Sequence, residues 1–547
     1  MSALHFVLST LKPLQRCLST KTVRSFCDFT QHVSNDSCKG TFYMETYGCQ
    51  MNFNDSEVAH SILKSAGFKR VNNLIEADTA LILTCAIREG AEEKIWRRMK
   101  YLRSVSRSKH RPPLCIGILG CMAERLKERL LKEREVTADF VCGPDAYRDL
   151  PKLIEDIQAN GVKGASLALS LEETYADIKP VRRFGPSAFI SVMRGCDNMC
   201  SYCIVPFVRG RERSRPLKSI VEEMYQLSSK GVKEVILLGQ NVNSYRDLPD
   251  GSISVGCTAD TLAPGFKTVY KQKVGGYRFI NLLDAVSSVD PNMRIRFTSP
   301  HPKDFNLEVL QLIAERPNVC SQLHLPAQSG SSSVLERMQR GYTREAYLEL
   351  VNRAKSIIPS MLPSYSHSFP LDVAISSDFI AGFCGETEDD HNQTLALIDC
   401  VSYAYGFCFP FSLRSKTRAF YRLEDDVPAQ IKARRHNELK TALRSAALRF
   451  NKSLIGSTEL VLVESISKRS ATELAGRVDG GVKAIFPKYL PDSSEIHIGD
   501  YVAVKIDSCT SQTLRGTPLR KTNIVDSYKD HFTRRHEAHA SRCNSAT

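Results

Sequence analysis

The sequence predicts an α/β protein in three parts. An N-terminal α/β domain carries a parallel sheet, a partial (β/α)6 barrel follows in the centre, and a small β-barrel closes the C-terminal side. Three observations predict it. Residues 40–145 alternate short apolar runs with helical patterns, as parallel strands joined by crossovers do. Residues 188–411 repeat strand and helix six more times. From residue 458 short alternating runs recur between turns such as Asp479-Gly480-Gly481 and Gly499-Asp500.

In the first part, strands are expected at 41–47, 79–84 and 114–119, with helices from about 55, 88 and 123. Each strand runs into a cysteine: Gly48-Cys49, then Cys85, then Gly120-Cys121. Successive cysteines lie 36 positions apart, about one βα repeat. Loops that follow parallel strands open on one edge of the sheet, so these three thiols should converge. Cys115 and Cys142 show that stray cysteines also occur here. A linker with a helix near 150–159 leads out of this part.

The central strands are expected at 188–194, 232–238, 294–297, 322–325, 373–380 and 407–411, with helices between them, including 219–229, 305–315, 344–358 and 388–404. Pro410 removes a ladder donor, which makes the sixth strand an edge. Two stretches break the pattern: a long loop through 247–268, and a Pro-, Ser- and aromatic-rich insert at 359–370. A basic helix at about 428–451 precedes the last part, and most of its charges read as a solvated face. The terminal strands are expected at 459–463, 473–477, 483–486 and 501–506.

The chain has 547 residues, 42% hydrophobic and 24% charged, an ordinary globular balance with length for several domains. A formal net charge of +14 suits a polyanionic partner without proving one. Eighteen cysteines in so long a chain are no small disulfide scaffold and point to a reducing compartment and metal. No apolar run approaches the ~20 residues of a membrane span. Residues 1–27 carry Lys12, Arg16, Lys21 and Arg24, are rich in Ser and Thr, and hold no acid. That is the composition of a mitochondrial transit peptide or of a disordered basic tail.

The chemistry is densest at Cys196-Asp197-Asn198-Met199-Cys200-Ser201-Tyr202-Cys203, just past the first central strand and Gly195. A closed zinc site needs four N or S ligands, and only three lie here. Three thiolates suit a 4Fe–4S cluster with one iron left open for a small molecule. Spacing alone leaves a zinc knuckle or free cysteines open.

This octet resembles the radical S-adenosylmethionine (SAM) signature, with Tyr202 as its aromatic. Thr46-Tyr-Gly-Cys-Gln-Met-Asn52, Thr84-Cys-Ala-Ile-Arg-Glu89 and Gly120-Cys-Met-Ala-Glu124 resemble the three cysteine motifs of the methylthiotransferase N-terminal domain. From about 40 to 525 the chain is similar to the tRNA-modifying MiaB branch of that family, with Leu83 where bacterial members carry Asn. The resemblance implies a transit segment over 1–35, a methylthiotransferase domain over 38–155, a radical SAM domain over 182–452, a TRAM domain over 455–525 and a disordered tail over 526–547.

It also implies two 4Fe–4S clusters, one on Cys49, Cys85 and Cys121 and the other on the catalytic Cys196, Cys200 and Cys203. SAM contacts are expected from Tyr202 and from strand-end residues Gly239, Gln240, Asn243, Ser299, Gln328 and Asp378. Arg209, Arg211, Arg213 and Arg215 follow the cluster loop and are expected to rim the mouth and contact RNA phosphates. The implied reaction is methylthiolation of N6-isopentenyladenosine at tRNA position 37 in mitochondria. The anticodon arm is the partner, and an electron donor and a sulfur source are required. Alternatives are another methylthiolation substrate, either threonylcarbamoyl-adenosine tRNA or a ribosomal protein, and a non-catalytic iron–sulfur protein that binds a kinase-regulatory partner.

Overall fold

Residues 38–86, 89–106, 113–127, 129–132, 137–182, 185–249, 265–267, 275–358 and 373–529 are described by the computed structural model. The expected transit segment, the insert at 359–370, most of the 247–268 loop and the tail beyond 529 lie outside the described residues.

The first part is a six-stranded, wholly parallel sheet. Its strands are β1 (Gly40–Thr46), β2 (Phe68–Arg70), β3 (Thr79–Thr84), β4 (Cys115–Gly120), β5 (Phe140–Cys142) and β6 (Gly164–Ser166), in the order β2-β1-β3-β4-β5-β6. The central strands β3 and β4 are buried throughout because both faces are covered. Leu81 and Leu83 pack into one core with the helix Gln50–Ser65, while Ala80 and Ile82 pack into the other. Three strands were expected. The added ones are three-residue strands, too short to show periodicity in sequence, and β6 lies in the expected linker.

The central part opens with β7 (Ser187–Ser191). The chain breaks at Val192, and β8 (Met193–Arg194) then pairs antiparallel with β9 (Arg213–Ser214). The expected single strand over 188–194 is thus two, because Arg215 N–H donates to Val192 O and draws the chain away. This two-rung clamp closes the loop that carries the cysteine octet. β10 (Glu234–Leu238) lies between β7 and β13 (Arg294–Phe297), and β11 (Arg246–Asp247) pairs with β12 (Tyr277–Arg278) at the base of the long loop. β14 (Gln322–His324), β15 (Ala374–Ala381) and β16 (Tyr405–Pro410) form the second half. The halves meet where Ile295 N–H donates to Asn318 O and Cys320 N–H to Ile295 O. The result is the expected six-stranded partial barrel, with β7 and β16 as its free edges.

The terminal strands β17 (Thr458–Ile466), β18 (Glu473–Arg477), β19 (Lys483–Pro487), β20 (Tyr501–Cys509) and β21 (Thr513–Thr522) close in the order β17-β18-β19-β21-β20. The fifth strand was not expected. Gly516, Pro518 and its Lys and Arg residues hide its alternation, and Pro518 sits beside a register shift that tolerates it. Residues 524–529 are helical, so ordered chain continues past the expected end at 526.

This barrel docks through β13. Arg294 donates to Arg477 O and Leu460 O, each at 3.0 Å. Arg296 donates to Asp479 O at 2.7 Å and Val478 O at 2.8 Å, while its Nε holds Glu234 inside the central barrel at 2.8 Å.

Candidate active site

Gly195 begins the octet loop at φ +77, and a Cβ there would collide with the Arg211 carbonyl, so only glycine fits. Its N–H donates to Gln240 Oε1 at 2.6 Å. Ser201 is pinned from three sides: its N–H donates to Met338 O at 2.9 Å, its hydroxyl to Arg337 O at 2.8 Å, and its carbonyl accepts from Ala419 N–H at 2.7 Å. Tyr202 packs edge-on against Phe383. Cys196 and Cys200 are buried and Cys203 is half-buried. Burial pushes the Cys196 thiol well above its ordinary value and Cys203 up to about 12. Buried thiolates of this kind need a compensating cation. One is present in Arg340, whose Nη1 donates to Cys200 Sγ at 3.4 Å, with Tyr342 and Pro326 O fixing the guanidinium.

The other three cysteines do converge. Cys49 sits at the N-terminus of Gln50–Ser65, Cys85 directly follows β3, and Cys121 begins a helix directly after β4. Gly48 permits the approach, because a Cβ there would lie 2.7 Å from that of Cys85. The hydrogen bond with Cys85 pulls the Cys49 thiol down to about 6 against desolvation, helped by Arg209 and the helix-start N–H groups of Asn52 and Met51. Burial pushes Cys121 up, and Arg209 opposes that.

Among the described residues no group of three His, Cys, Asp or Glu closes on a single metal ion. At the N-terminal site Cys49 is hydrogen-bonded with Cys85 and its charge acts on Cys121, and in the octet Cys200 and Cys203 act on Cys196, so each site offers three thiols. That donor set fits a cluster of several irons better than one closed zinc.

The arginine run lies where the two sites meet, and most of it faces inward. Arg209 donates through Nε to Cys121 Sγ at 3.0 Å and through Nη2 to Asn52 Oδ1 at 3.2 Å, and pairs with Asp55 at 2.7 Å. Arg213 pairs with Asp145 at 2.5 Å, and Arg215 with Glu223 at 2.5 Å. All three are buried. The expectation that they touch RNA phosphates is therefore corrected: internal carboxylates and a thiol hold them. Arg211 alone is exposed, beside Asp197 at 3.1 Å.

A cleft of about 880 Å³ lies between the central barrel, the Cys49 loop and the terminal barrel. Cys49 and Gln50 form one wall, while Ser299, His324 and Asp378 line it from the barrel strands. Phe407, Lys440, Arg444 and Lys483 line its mouth between β16, the helix Ala429–Ser453 and the terminal barrel. Ser299 holds a left-handed φ of +59 and Gln328 of +70, backbone strain of the kind that collects at working sites.

Two of the expected SAM contacts, Ser299 and Asp378, thus line the cleft. Asn243 does not: its amide brackets His301, accepting from His301 N–H at 2.8 Å and donating to His301 O at 2.9 Å, which holds that loop. Gln240 fixes the Gly195 turn, Gly239 makes room for Met193, and Gln328 bonds β15 through its backbone. Sequence reading missed Arg340 and His324. His324 hydrogen-bonds Ser376 at 3.0 Å and Asp378 at 3.3 Å. No motif marks either residue, because each acts through a neighbour distant in sequence.

Residues 41–143 match the family model "Uncharacterized protein family UPF0004", residues 190–398 the radical SAM superfamily and residues 452–519 the TRAM domain. The human mitochondrial tRNA methylthiotransferase CDK5RAP1 is 55% identical over 510 residues, covering 89% of this chain and 82% of its own. Its Mus musculus namesake is 52% identical over 537 residues, covering 96% and 88%. The tRNA-2-methylthio-N(6)-dimethylallyladenosine synthase of Chloroherpeton thalassium is 46% identical over 494 residues, covering 90% and 99%.

Proposed function

Because the chain belongs to the tRNA methylthiotransferase family of radical SAM enzymes, we propose that it methylthiolates N6-isopentenyladenosine of mitochondrial tRNAs, and that the cleft lined by Cys49 and by the barrel residues Ser299 and Asp378 is where this happens. The observation that carries this reading is that one cleft has Cys49 on one wall and Ser299 and Asp378 on the other. A base in that cleft would meet Cys49 on one side and the polar strand-end residues Ser299 and Asp378 on the other.

The residues divide the work. Cys196, Cys200 and Cys203 hold a 4Fe–4S cluster, and Cys49, Cys85 and Cys121 hold a second. With SAM bound, a cluster on the former triad would supply one-electron chemistry, which an aromatic C–H bond lacking any acid, base or nucleophilic handle requires. Arg340 offsets thiolate charge at Cys200, and Gln240 fixes the turn that aims the octet loop. Asp378, with His324 against it, and the strained Ser299 offer hydrogen bonds to the polar groups of SAM or the nucleoside. The apolar walls Ile236 and Phe297 keep water from the reacting carbon. Lys440, Arg444 and Lys483 have no carboxylate partner among the described residues and take the RNA phosphates. Residues 1–27 are the import segment.

Nucleoside mass spectrometry of mitochondrial tRNA tests the reading. The 2-methylthio nucleoside should vanish when the protein is absent. It should not return when either cysteine triad is replaced with Ala. The variant without Cys49, Cys85 and Cys121 should still cleave SAM, whereas the one without Cys196, Cys200 and Cys203 should not. Full restoration of the nucleoside by either variant would sink the proposal.

A further inference from the structure

The arginine that the sequence offered to RNA lies instead between the two cysteine sites. Arg209 follows Cys203 by six residues, at the end of the short helix Val205–Arg209. Its guanidinium nevertheless bonds Cys121 Sγ of the N-terminal site, 3.0 Å away. The same group bonds Asn52 and Asp55 of the helix that Cys49 begins. Only Nη1 is left, buried and without a hydrogen-bond partner.

The surrounding charges do not cancel. Among the described residues, Arg194, Arg209 and Arg213 are buried and pair with only two carboxylates, Asp55 and Asp145. The adjoining group is even, with Arg182 and Arg215 facing Glu57 and Glu223. A buried, unmatched positive charge is costly unless an anion meets it. Cys121 Sγ, hydrogen-bonded at 3.0 Å, is one candidate, and Cys49 is another whose charge acts on Arg209.

We propose that Arg209 is a positioning residue for the N-terminal cysteine site: it fixes Cys121 by its Nε hydrogen bond, and its charge stabilises the more reduced, more negative state of whatever iron–sulfur group Cys49, Cys85 and Cys121 hold. Because Arg209 is carried by the segment leaving the other cysteine loop, the charge at one site depends on the fold of the other. Asn52 and Asp55 set the guanidinium's orientation, and Asp55 subtracts from its field. The inference rests on the reading that these three cysteines hold a cluster.

The test uses the full chain with Cys196, Cys200 and Cys203 replaced by Ala, reconstituted anaerobically so that only the N-terminal site is loaded. Iron content and the reduction midpoint from an EPR-monitored titration are read for this parent and for R209K, R209Q and D55N on it. R209Q should bind iron and move the midpoint to more negative potential. R209K, which keeps the charge, should stay nearer the parent. D55N, which removes the opposing carboxylate, should move the midpoint the other way. Should R209Q take up no iron, R209K and D55N carry the decision. A loaded D55N whose midpoint matches the parent's, or an R209K that falls with R209Q, overturns the proposal. If the parent itself binds no iron, the two-cluster reading fails first, and this inference falls with it.

Discussion

At the scale of the residue, burial decides what a charged side chain can do. Glu459, at the start of the terminal barrel, is buried, and desolvation raises its carboxyl to about 7 although Ser457 donates to it at 2.9 Å. In the unfolded chain it titrates near its ordinary 4.5. Between those two values the folded chain holds a proton that the unfolded chain has released. Stability from this group is therefore complete below about pH 4.5 and is lost as pH rises to about 7. The span corresponds to about 3–4 kcal/mol, at roughly 1.4 kcal/mol per pK unit. E459Q should thus be more stable than the parent at pH 8 and nearly equal to it at pH 4.5, as thermal melts across that range would read. A constant difference between the two proteins at all pH values would refute the assignment.

At the scale of the element, β13 joins two barrels through one alternating pair of arginines. Arg296 is 7% exposed and reaches both Glu234 inside and two carbonyls of the terminal barrel outside. R296M should destabilise by about 3–5 kcal/mol, because it strands Glu234 in the interior without its cation. E234Q/R296M should recover a good part of that loss, and chemical denaturation of the three variants would show it. Equal loss in the single and double variants would mean that the outer hydrogen bonds to the terminal barrel dominate.

At the scale of the whole molecule, the basic charge is not where the densest arginine run stands. Cations that line the cleft without a carboxylate partner among the described residues are Lys440 and Arg444, one turn apart on Ala429–Ser453, and Lys483 on β19. The exposed Phe407 between them offers a ring for a base to stack on. K440E/R444E should weaken tRNA binding and flatten its log–log salt dependence by roughly 0.7–0.9 for each phosphate no longer neutralised. R211A, at an exposed position already beside Asp197, should change binding far less. Filter binding at several salt concentrations would compare them. A larger effect from R211A than from the pair would return the RNA surface to the octet loop.

Much of this was legible in the chain alone. Strand periodicity and repeat spacing marked out the three parts, because period and turn chemistry are local properties. The convergence of the three N-terminal cysteines was legible too, since a loop after a parallel strand has few places to go. What stayed hidden was direction and partnership. Arg209, Arg211, Arg213 and Arg215 alternate like a solvent-facing loop, yet three point inward, because Asp55, Asp145 and Glu223 come to meet them from other segments. Lys440 and Arg444 looked like an ordinary solvated face and proved to line the cleft. The periodic elements and the cysteine loops follow from residues a few positions apart, so the chain alone specifies them. Which charges are neutralised follows from the fold, because a charge falls silent through a partner that folding delivers from far along the chain.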